Sequence, residues 1–341
     1  MKLLVLGGTQ FLGRHVVSAA LDDGHAVTLF TRGKKPVPQP DRVTALTGDR
    51  DPRVGPGLGA LTAGEWDAVI DLSGYVPRVV GAAAALLEPR VNRYVFVSSV
   101  SVYAEQSRPG VDEAGRVLEL EDPATEEILK YYGALKAACE RVVGERYGAR
   151  ATIVRPGLIV GPYDATDRFG YWVARFVHPA LLGERGPRAL VPAPATREIQ
   201  LIDARDLARW IVDLAVRDAG GTFNAVSPAG QWTMGDLVDA LLASAPSPPA
   251  PAWTDEGAIV AHGVEPWVGL PLWIPSQDPD HAGFLAIDGT RARRAGLLTR
   301  PLADTIVDTA AWLAQRDNAG AWKLTLSAAK ERAIVEGKPA A

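Results

Sequence analysis

The feature that most limits how this chain can fold is its first loop. A strand-length apolar run over residues 2 to 6 leads at once into Gly7-Gly8-Thr9-Gln10-Phe11-Leu12-Gly13, and an amphipathic stretch then continues from Phe11 to Leu21. That reads as strand, tight loop and helix. Gly24 stops the helix and residues 25 to 30 form a second apolar run, so the opening segment is a βαβ unit of about the minimum size, with parallel strands. Glycines at a strand-to-helix turn let backbone N–H groups approach an anion without Cβ atoms in the way. In this context the anion is a dinucleotide pyrophosphate, cradled by Gly7, Thr9, Gln10, Phe11, Leu12 and Gly13.

Further short apolar runs at residues 43–46, 68–72, 94–97 and 152–154 alternate with helical patterns such as 79–87 and 126–146. Regular alternation predicts an α/β fold, a doubly wound parallel sheet with helices on both faces. After Gly161-Pro162 the pattern degrades into clustered aromatics and a breaker-rich stretch over 187–195. It recovers with a strand over 199–202, a helix over 204–216 and a strand over 222–225, then becomes helical from Gln231 and finally loop-rich. Residues 243–252, rich in Pro and Ser, read as a surface connector. The expected organisation is a Rossmann domain of residues 1–161 and 197–228, with a smaller, mixed α/β substrate lobe of residues 162–196 and 229–341. A chain of 341 residues has room for both.

A net charge of −4 supplies no positive field for nucleic acid or an anionic membrane, so neither is an expected partner. Cys139 is the only cysteine, which excludes an internal disulfide framework and a multi-cysteine metal site. Asp278-Pro279-Asp280-His281 reads as a turn, and no metal is expected. The opening apolar run is too short for a signal peptide or a membrane span, so a soluble cytoplasmic protein is expected. Nine Trp against two Met suggest an aromatic core or a pocket with flat apolar walls.

The residues after the second strand choose between NAD and NADP, because a carboxylate there bonds the ribose hydroxyls and repels a 2′-phosphate. Here the sequence is Thr31-Arg32-Gly33-Lys34-Lys35, without a carboxylate. Thr31 and Arg32 suit a phosphate and favour NADP, with NAD as the alternative. Gln10 stands where a middle glycine is usual and is expected to swing toward the adenosine ribose. Asp49 and Arg50 are placed to flank the adenine.

Tyr132 and Lys136 are four apart in a helical pattern and share a face. Their reference pKa values are about 10 and about 10.4. An ammonium and a nicotinamide positive charge near the phenol would favour phenolate, making Tyr132 a general base or acid for a substrate hydroxyl or carbonyl. Ser98-Ser99-Val100-Ser101 ends a strand at the carboxyl edge of the sheet, where ligands of such folds bind.

With Leu72-Ser73-Gly74, Val102-Tyr103, Tyr132-Gly133-Ala134-Leu135-Lys136 and Arg155-Pro156-Gly157 in the same order, the chain resembles the extended short-chain dehydrogenase/reductases, the NAD-dependent epimerase/dehydratase group. The resemblance covers nearly the whole chain and is specific to about residue 230. It selects Ser99, four residues before Tyr103, as the active hydroxyl. It implies hydride exchange at nicotinamide C4, Tyr132 as proton shuttle, Lys136 on the nicotinamide ribose, and a homodimer built on two long helices per subunit. Leu72, Ser73, Gly74, Ser98 and Pro156 join the expected cofactor-binding set.

Three departures narrow the function. Where the family's 4,6-dehydratases carry an Asp-Glu pair, this chain has Val100 and Ser101, which disfavours dehydration. Where the nucleotide-sugar enzymes carry an Asn that helps hold the diphosphate, it has Leu158. Gln10 resembles a subgroup with a large residue at that place, which includes reductases and one RNA-binding branch. Tyr163, Arg168, Phe169, Tyr171 and Trp172 follow the sixth strand and are expected to line a substrate pocket. Trp267 and Trp273 form its far wall, and Tyr75, Ser101 and Leu158 complete the substrate-facing set. The first reading is an NADP-dependent oxidoreductase acting on a carbonyl, or the matching secondary alcohol, of a small, partly apolar or aromatic molecule. An epimerase of a sugar-like substrate is the alternative, and a non-catalytic RNA-binding or NADP-sensing protein is a second. The complete Ser99, Tyr132, Lys136 set weighs against a sensor, and the acidic charge balance against RNA.

Overall fold

A computed structural model of the chain describes residues 1–217, 219–316, 322–323 and 326–338. Residues 218, 317–321, 324–325 and 339–341, which the expected domain boundaries include, lie outside the described residues. The first half runs β1 (Lys2–Leu6), α1 (Phe11–Asp22), β2 (Ala26–Thr31), β3 (Val43–Thr47), β4 (Trp66–Asp71), α2 (Pro77–Leu87), β5 (Val91–Val97), α3 (Ile128–Tyr147) and β6 (Ala151–Pro156). Then come β7 (Ile159–Val160), α4 (Arg168–Val177), β8 (Arg188–Pro192), β9 (Glu198–Ile199), β10 (Ile202–Asp203), α5 (Ala204–Val216) and β11 (Gly221–Ala225).

Seven of these strands form one parallel sheet in the order β11-β6-β5-β4-β1-β2-β3. β1 lies between β2 and β4, with Val5 opposite both Leu29 and Ile70. Because side chains alternate across a strand, Leu3 and Val5 point to one face and Leu4 and Leu6 to the other, and all four are fully buried. That is why β1 is apolar throughout rather than alternating. Val16 and Val17 of α1 and Leu207 and Ile211 of α5 close the first face. Val80 and Ala84 of α2 with Val143 of α3 close the second.

The chain ends with β12 (Trp232–Thr233), α6 (Met234–Ser244), β13 (Ala250–Thr254), α7 (Glu256–Ala261), α8 (Thr290–Arg294), α9 (Leu302–Gln315) and α10 (Ala328–Val335). Together with α4 and β8 these elements build a smaller α/β region around a separate apolar cluster that includes Trp172, Leu190, Leu237, Trp273 and Ile306. Two expectations for this half are corrected. The breaker-rich stretch 187–195 contains β8, and the end of the 243–252 connector enters β13, which pairs in parallel with β8. Proline is tolerated there because a two-stranded ladder leaves an open edge. The 199–202 strand also splits: β9 pairs β12 and β10 pairs β7, outside the main sheet. No helix among the described residues is long and apolar enough to cross a membrane.

Candidate active site

The loops that follow β1 to β6 all emerge at the carboxyl edge of the sheet. Gly7 has φ +91°, and a Cβ on it would lie 2.7 Å from both Cβ and Oγ of Ser73. A Cβ on Gly13 would lie 2.6 Å from the Gly7 carbonyl oxygen, so α1 could not come this close to the loop with any other residue. Gln10 is extended at the helix N-cap and its side chain makes no cap, and the first turn of α1 carries no acidic residue. Donors of that turn are therefore left for an external anion. Thr9 and Phe11 are half-buried and Leu12 is buried in the cluster under α1. The Ser98 hydroxyl is buried without a partner at the end of β5. A narrow glycine cradle, open helix donors and an orphan hydroxyl together fit an NAD(P) pyrophosphate and its flanking riboses.

Around this cradle, Thr31 accepts a bond from the Gly33 N–H at 3.1 Å and Arg32 is exposed beside it. Asp49 is half-exposed at the end of β3 and accepts from the Asp51 N–H at 2.9 Å. Arg50 does not flank an adenine site. Its guanidinium turns inward and binds both Asp71 carboxylate oxygens at 2.6 Å, because Asp71 is fully buried at the end of β4 and needs a charged partner. Ser73 takes a 3.3 Å bond from the same guanidinium and donates to the Leu6 carbonyl. Leu72 is half-buried beside it, and Pro156 is buried at the end of β6 opposite Ala225.

Tyr132 and Lys136 stand one turn apart on α3, just past non-helical backbone at Tyr131. A Cβ on Gly133 would lie only 2.1 Å from the Ser101 carbonyl oxygen, so glycine lets α3 press against the turn after β5 that carries Ser99. Ser99 donates to the Ser101 hydroxyl at 3.0 Å and accepts from the Ser101 N–H at 3.1 Å, which fixes its rotamer. The Lys136 ammonium is buried and donates to the carbonyls of Gly74 and Val97, each at 2.7 Å, beneath the rings of Tyr75 and Phe96. Burial holds its pKa down at about 8.

Burial and the neighbouring Tyr75 raise the Tyr132 pKa above its ordinary value, while the Ser99 hydroxyl and the Arg168 guanidinium offset part of the rise. The Lys136 ammonium is spent on the carbonyls of Gly74 and Val97.

The substrate-facing set divides. Tyr75 is 41% exposed with its ring 6.4 Å from that of Tyr132. Arg168 opens α4 and lies over the Trp267 ring at 5.8 Å, and Trp267 meets Phe284 edge-on. Trp267 and Ser101 line a cleft of about 640 Å³ beside the active serine, together with Tyr103, Leu118 and Phe284. Tyr163 is exposed against Arg14 and Trp312. Five expectations are corrected: Leu158, Phe169, Tyr171, Trp172 and Trp273 are core. Phe169, Tyr171, Trp172 and Trp273 have no exposed surface, and Leu158 packs in the same cluster. Trp172 spends its N–H on the Pro271 carbonyl and Trp273 on Glu256. The Asp278 to His281 segment is a turn, its imidazole 3.1 Å from the Asp278 carboxylate.

Residues outside the sequence-based set hold the site in place. Asp71 anchors Arg50, the Tyr94 hydroxyl and the Ser73 N–H. Arg155 binds Glu140 of α3 at 2.6 Å and the Tyr103 hydroxyl at 3.0 Å, and Tyr103 donates to Asn224 at 2.6 Å. That buried chain ties β6, α3, the active-serine turn and β11 together. A lone acidic residue ending an apolar strand, as Asp71 does, was the available signal for the first; the second joins residues too far apart in sequence to leave one.

Comparison with known proteins agrees with this geometry. A curated chloroplast stem-loop binding protein of 41 kDa (b) from Arabidopsis thaliana is 27% identical over 222 residues, 61% of this chain and 53% of that protein. A 2-alkyl-3-oxoalkanoate reductase from Stenotrophomonas maltophilia (strain K279a) is 32% identical over 183 residues, 48% of this chain and 52% of that protein. The chain spans about half the length of these two relatives. The solved UDP-glucuronic acid 4-epimerase from Bacillus cereus in complex with NAD shares the fold, with a TM-score of 0.64 at 16% identity over 95% of this chain and 100% of that one. The model of the NAD dependent epimerase/dehydratase family matches residues 3–225, and the chain belongs to that family.

Proposed function

We propose that this family member is an NADP-dependent reductase of a carbonyl on a small, partly apolar or aromatic molecule, running in reverse as a secondary-alcohol dehydrogenase. The observation that carries the reading is the Ser99, Tyr132 and Lys136 set, with Lys136 seated on the Gly74 and Val97 carbonyls and an aromatic-walled cleft at Ser101, the hydrogen-bond partner of Ser99. A phenol that holds its proton is an acid, and carbonyl reduction needs an acid at oxygen. When bound in the cradle, the reduced dinucleotide supplies the hydride for the carbonyl carbon. Ser99 orients the carbonyl oxygen and Tyr132 donates its proton to it, so carbonyl, hydride and proton balance to a secondary alcohol. Lys136, seated on the Gly74 and Val97 carbonyls, would hold the nicotinamide ribose.

Buried Val100 and the Ser101 hydroxyl, engaged by Ser99, stand where the family's 4,6-dehydratases carry an Asp-Glu pair, which weighs against elimination. The reductase named among the relatives supports net reduction. Exposed Arg32 beside Thr31, with no carboxylate from residue 31 to 35, supports NADP. The test is net NADPH consumption across a panel of carbonyl compounds. An epimerase would leave the cofactor pool unchanged. Tyr132→Phe is expected to lower kcat by about 10²- to 10⁴-fold with cofactor affinity retained, and full activity in that variant would overturn the assignment.

A further inference from the structure

A buried carboxylate that the proposed chemistry does not use stands between the two parts of the cofactor site. Asp71, at the end of β4, accepts four bonds: from Arg50 Nη1 and the Ser73 N–H on Oδ1, and from Arg50 Nη2 and the Tyr94 hydroxyl on Oδ2. Those donors occupy both oxygens, so the carboxylate has no lone pair to offer a ligand. Arg50 travels far to meet it. It follows β3, and β1 and β2 lie between β3 and β4 in the sheet, so the guanidinium passes the ends of two strands. Desolvating such a pair returns little net stability, which points to a use other than holding the sheet together.

Its use lies in the residues that follow Asp71. Ser73 receives a further bond from Arg50 at 3.3 Å and donates to the Leu6 carbonyl, on the peptide that leads into the glycine cradle. The Leu72 N–H binds the same carbonyl at 3.1 Å. Gly7 lies so close to Ser73 that a Cβ on it would stand 2.7 Å from the hydroxyl oxygen. Gly74 has no room for a side chain either: its Cβ would lie 2.5 Å from the Phe96 ring and 3.2 Å from the Asp71 carboxylate. Its carbonyl is one of the two that hold the Lys136 ammonium. One ion pair therefore braces a short loop that has the pyrophosphate cradle on one side and the lysine seat on the other.

We propose that Arg50 and Asp71 are positioning residues that set the cradle and Lys136 together, acting through Ser73 and Gly74 on the pyrophosphate and nicotinamide part of the dinucleotide. The adenosine end, served by the residues after β2, does not depend on the pair. This assignment rests on the dinucleotide site alone and is the same for a reductase and an epimerase.

The experiment titrates the full chain by calorimetry with NADPH and NADH, and with adenosine 2′-monophosphate and adenosine, fragments that lack the pyrophosphate and the nicotinamide. Arg50→Gln is expected to weaken the tighter dinucleotide by about 10- to 100-fold and its fragment by less than about twofold. Arg50→Lys keeps the charge but not the fork that spans both carboxylate oxygens, and is expected to recover part of the loss. Ser73→Ala leaves the ion pair whole and decides the matter if Arg50→Gln does not fold; there dinucleotide affinity is expected to fall by about 3- to 10-fold with the fragment unchanged. Wild-type dinucleotide affinity in Arg50→Gln, or in Ser73→Ala where the first variant does not fold, would overturn the proposal. An equal loss of dinucleotide and fragment would also defeat it, by returning Arg50 to the adenine site or to folding in general. Because only binding is read, a protein that consumes no NADPH with any carbonyl would lose the reductase reading and keep this one.

Discussion

Replacing Gly133 with alanine measures how much the active site depends on the close approach of α3 to the turn after β5. The added methyl would stand 2.1 Å from the Ser101 carbonyl oxygen and 2.9 Å from the Leu118 side chain, where ordinary contact begins at 3.4 Å. Neither the helix nor the turn can yield locally, since the carbonyl belongs to backbone. The two must part by about 1 Å. Tyr132 is on one side of that gap and Ser99 on the other, so the acid and the orienting hydroxyl separate together. A displacement of that size costs about 10²-fold in turnover, and overpacking costs about 1–3 kcal/mol of stability. Gly144→Ala on the same helix is the control, because a Cβ there meets nothing within 4 Å. It is expected to stabilise by about 1 kcal/mol through helix propensity with kinetics unchanged. The assays are kcat and KM for a carbonyl substrate, NADPH affinity, and denaturant unfolding. Wild-type kcat in Gly133→Ala, or an equal loss in Gly144→Ala, would refute the reasoning.

Three further outcomes follow from the geometry. Arg32→Gln is expected to lower the ratio of NADPH to NADH affinity by about 10- to 100-fold, measured by fluorescence titration, because one charge-assisted contact to the 2′-phosphate is lost. Lys136 titrates at about 8 in the folded chain and near 10.4 when unfolded, so between those values the unfolded state binds more protons. Its destabilising contribution is complete below about pH 8 and is relieved as pH rises toward 10.4; unfolding free energies at a series of pH values should show that upward slope in wild type and its absence in Lys136→Met. Tyr171→Phe removes a hydroxyl buried without a partner and is expected to raise stability by about 1 kcal/mol with turnover unchanged; a selective rise in KM would return Tyr171 to the substrate site.

How much of this was legible in the sequence depends on how far apart the interacting residues stand. The Rossmann half is written locally: β1, the glycine turn and α1 are contiguous, and each later strand is a short apolar run with a helix behind it. The smaller region is not. β8 and β13 pair across some sixty residues of chain, and Arg175 of α4 is neutralised by Glu331 of α10, 156 positions away. The aromatic cluster after β6 was misread because aromatics near an active site suggest a pocket wall. Its own pattern carried the correction: Phe169 to Phe176 contains no polar face apart from Arg175, and a helix apolar all round is buried. Its first residue, Arg168, is half-exposed and lies over the Trp267 ring.

The charges around Tyr132 were less legible still. A spacing of four puts Tyr132 and Lys136 on one face of α3, but it fixes their Cβ atoms and not the ends of their side chains. The lysine head is carried under Tyr75 to the carbonyls of Gly74, on the loop after β4, and Val97, the last residue of β5. What remains near Tyr132 is a serine hydroxyl and the guanidinium of Arg168, from a different region of the fold.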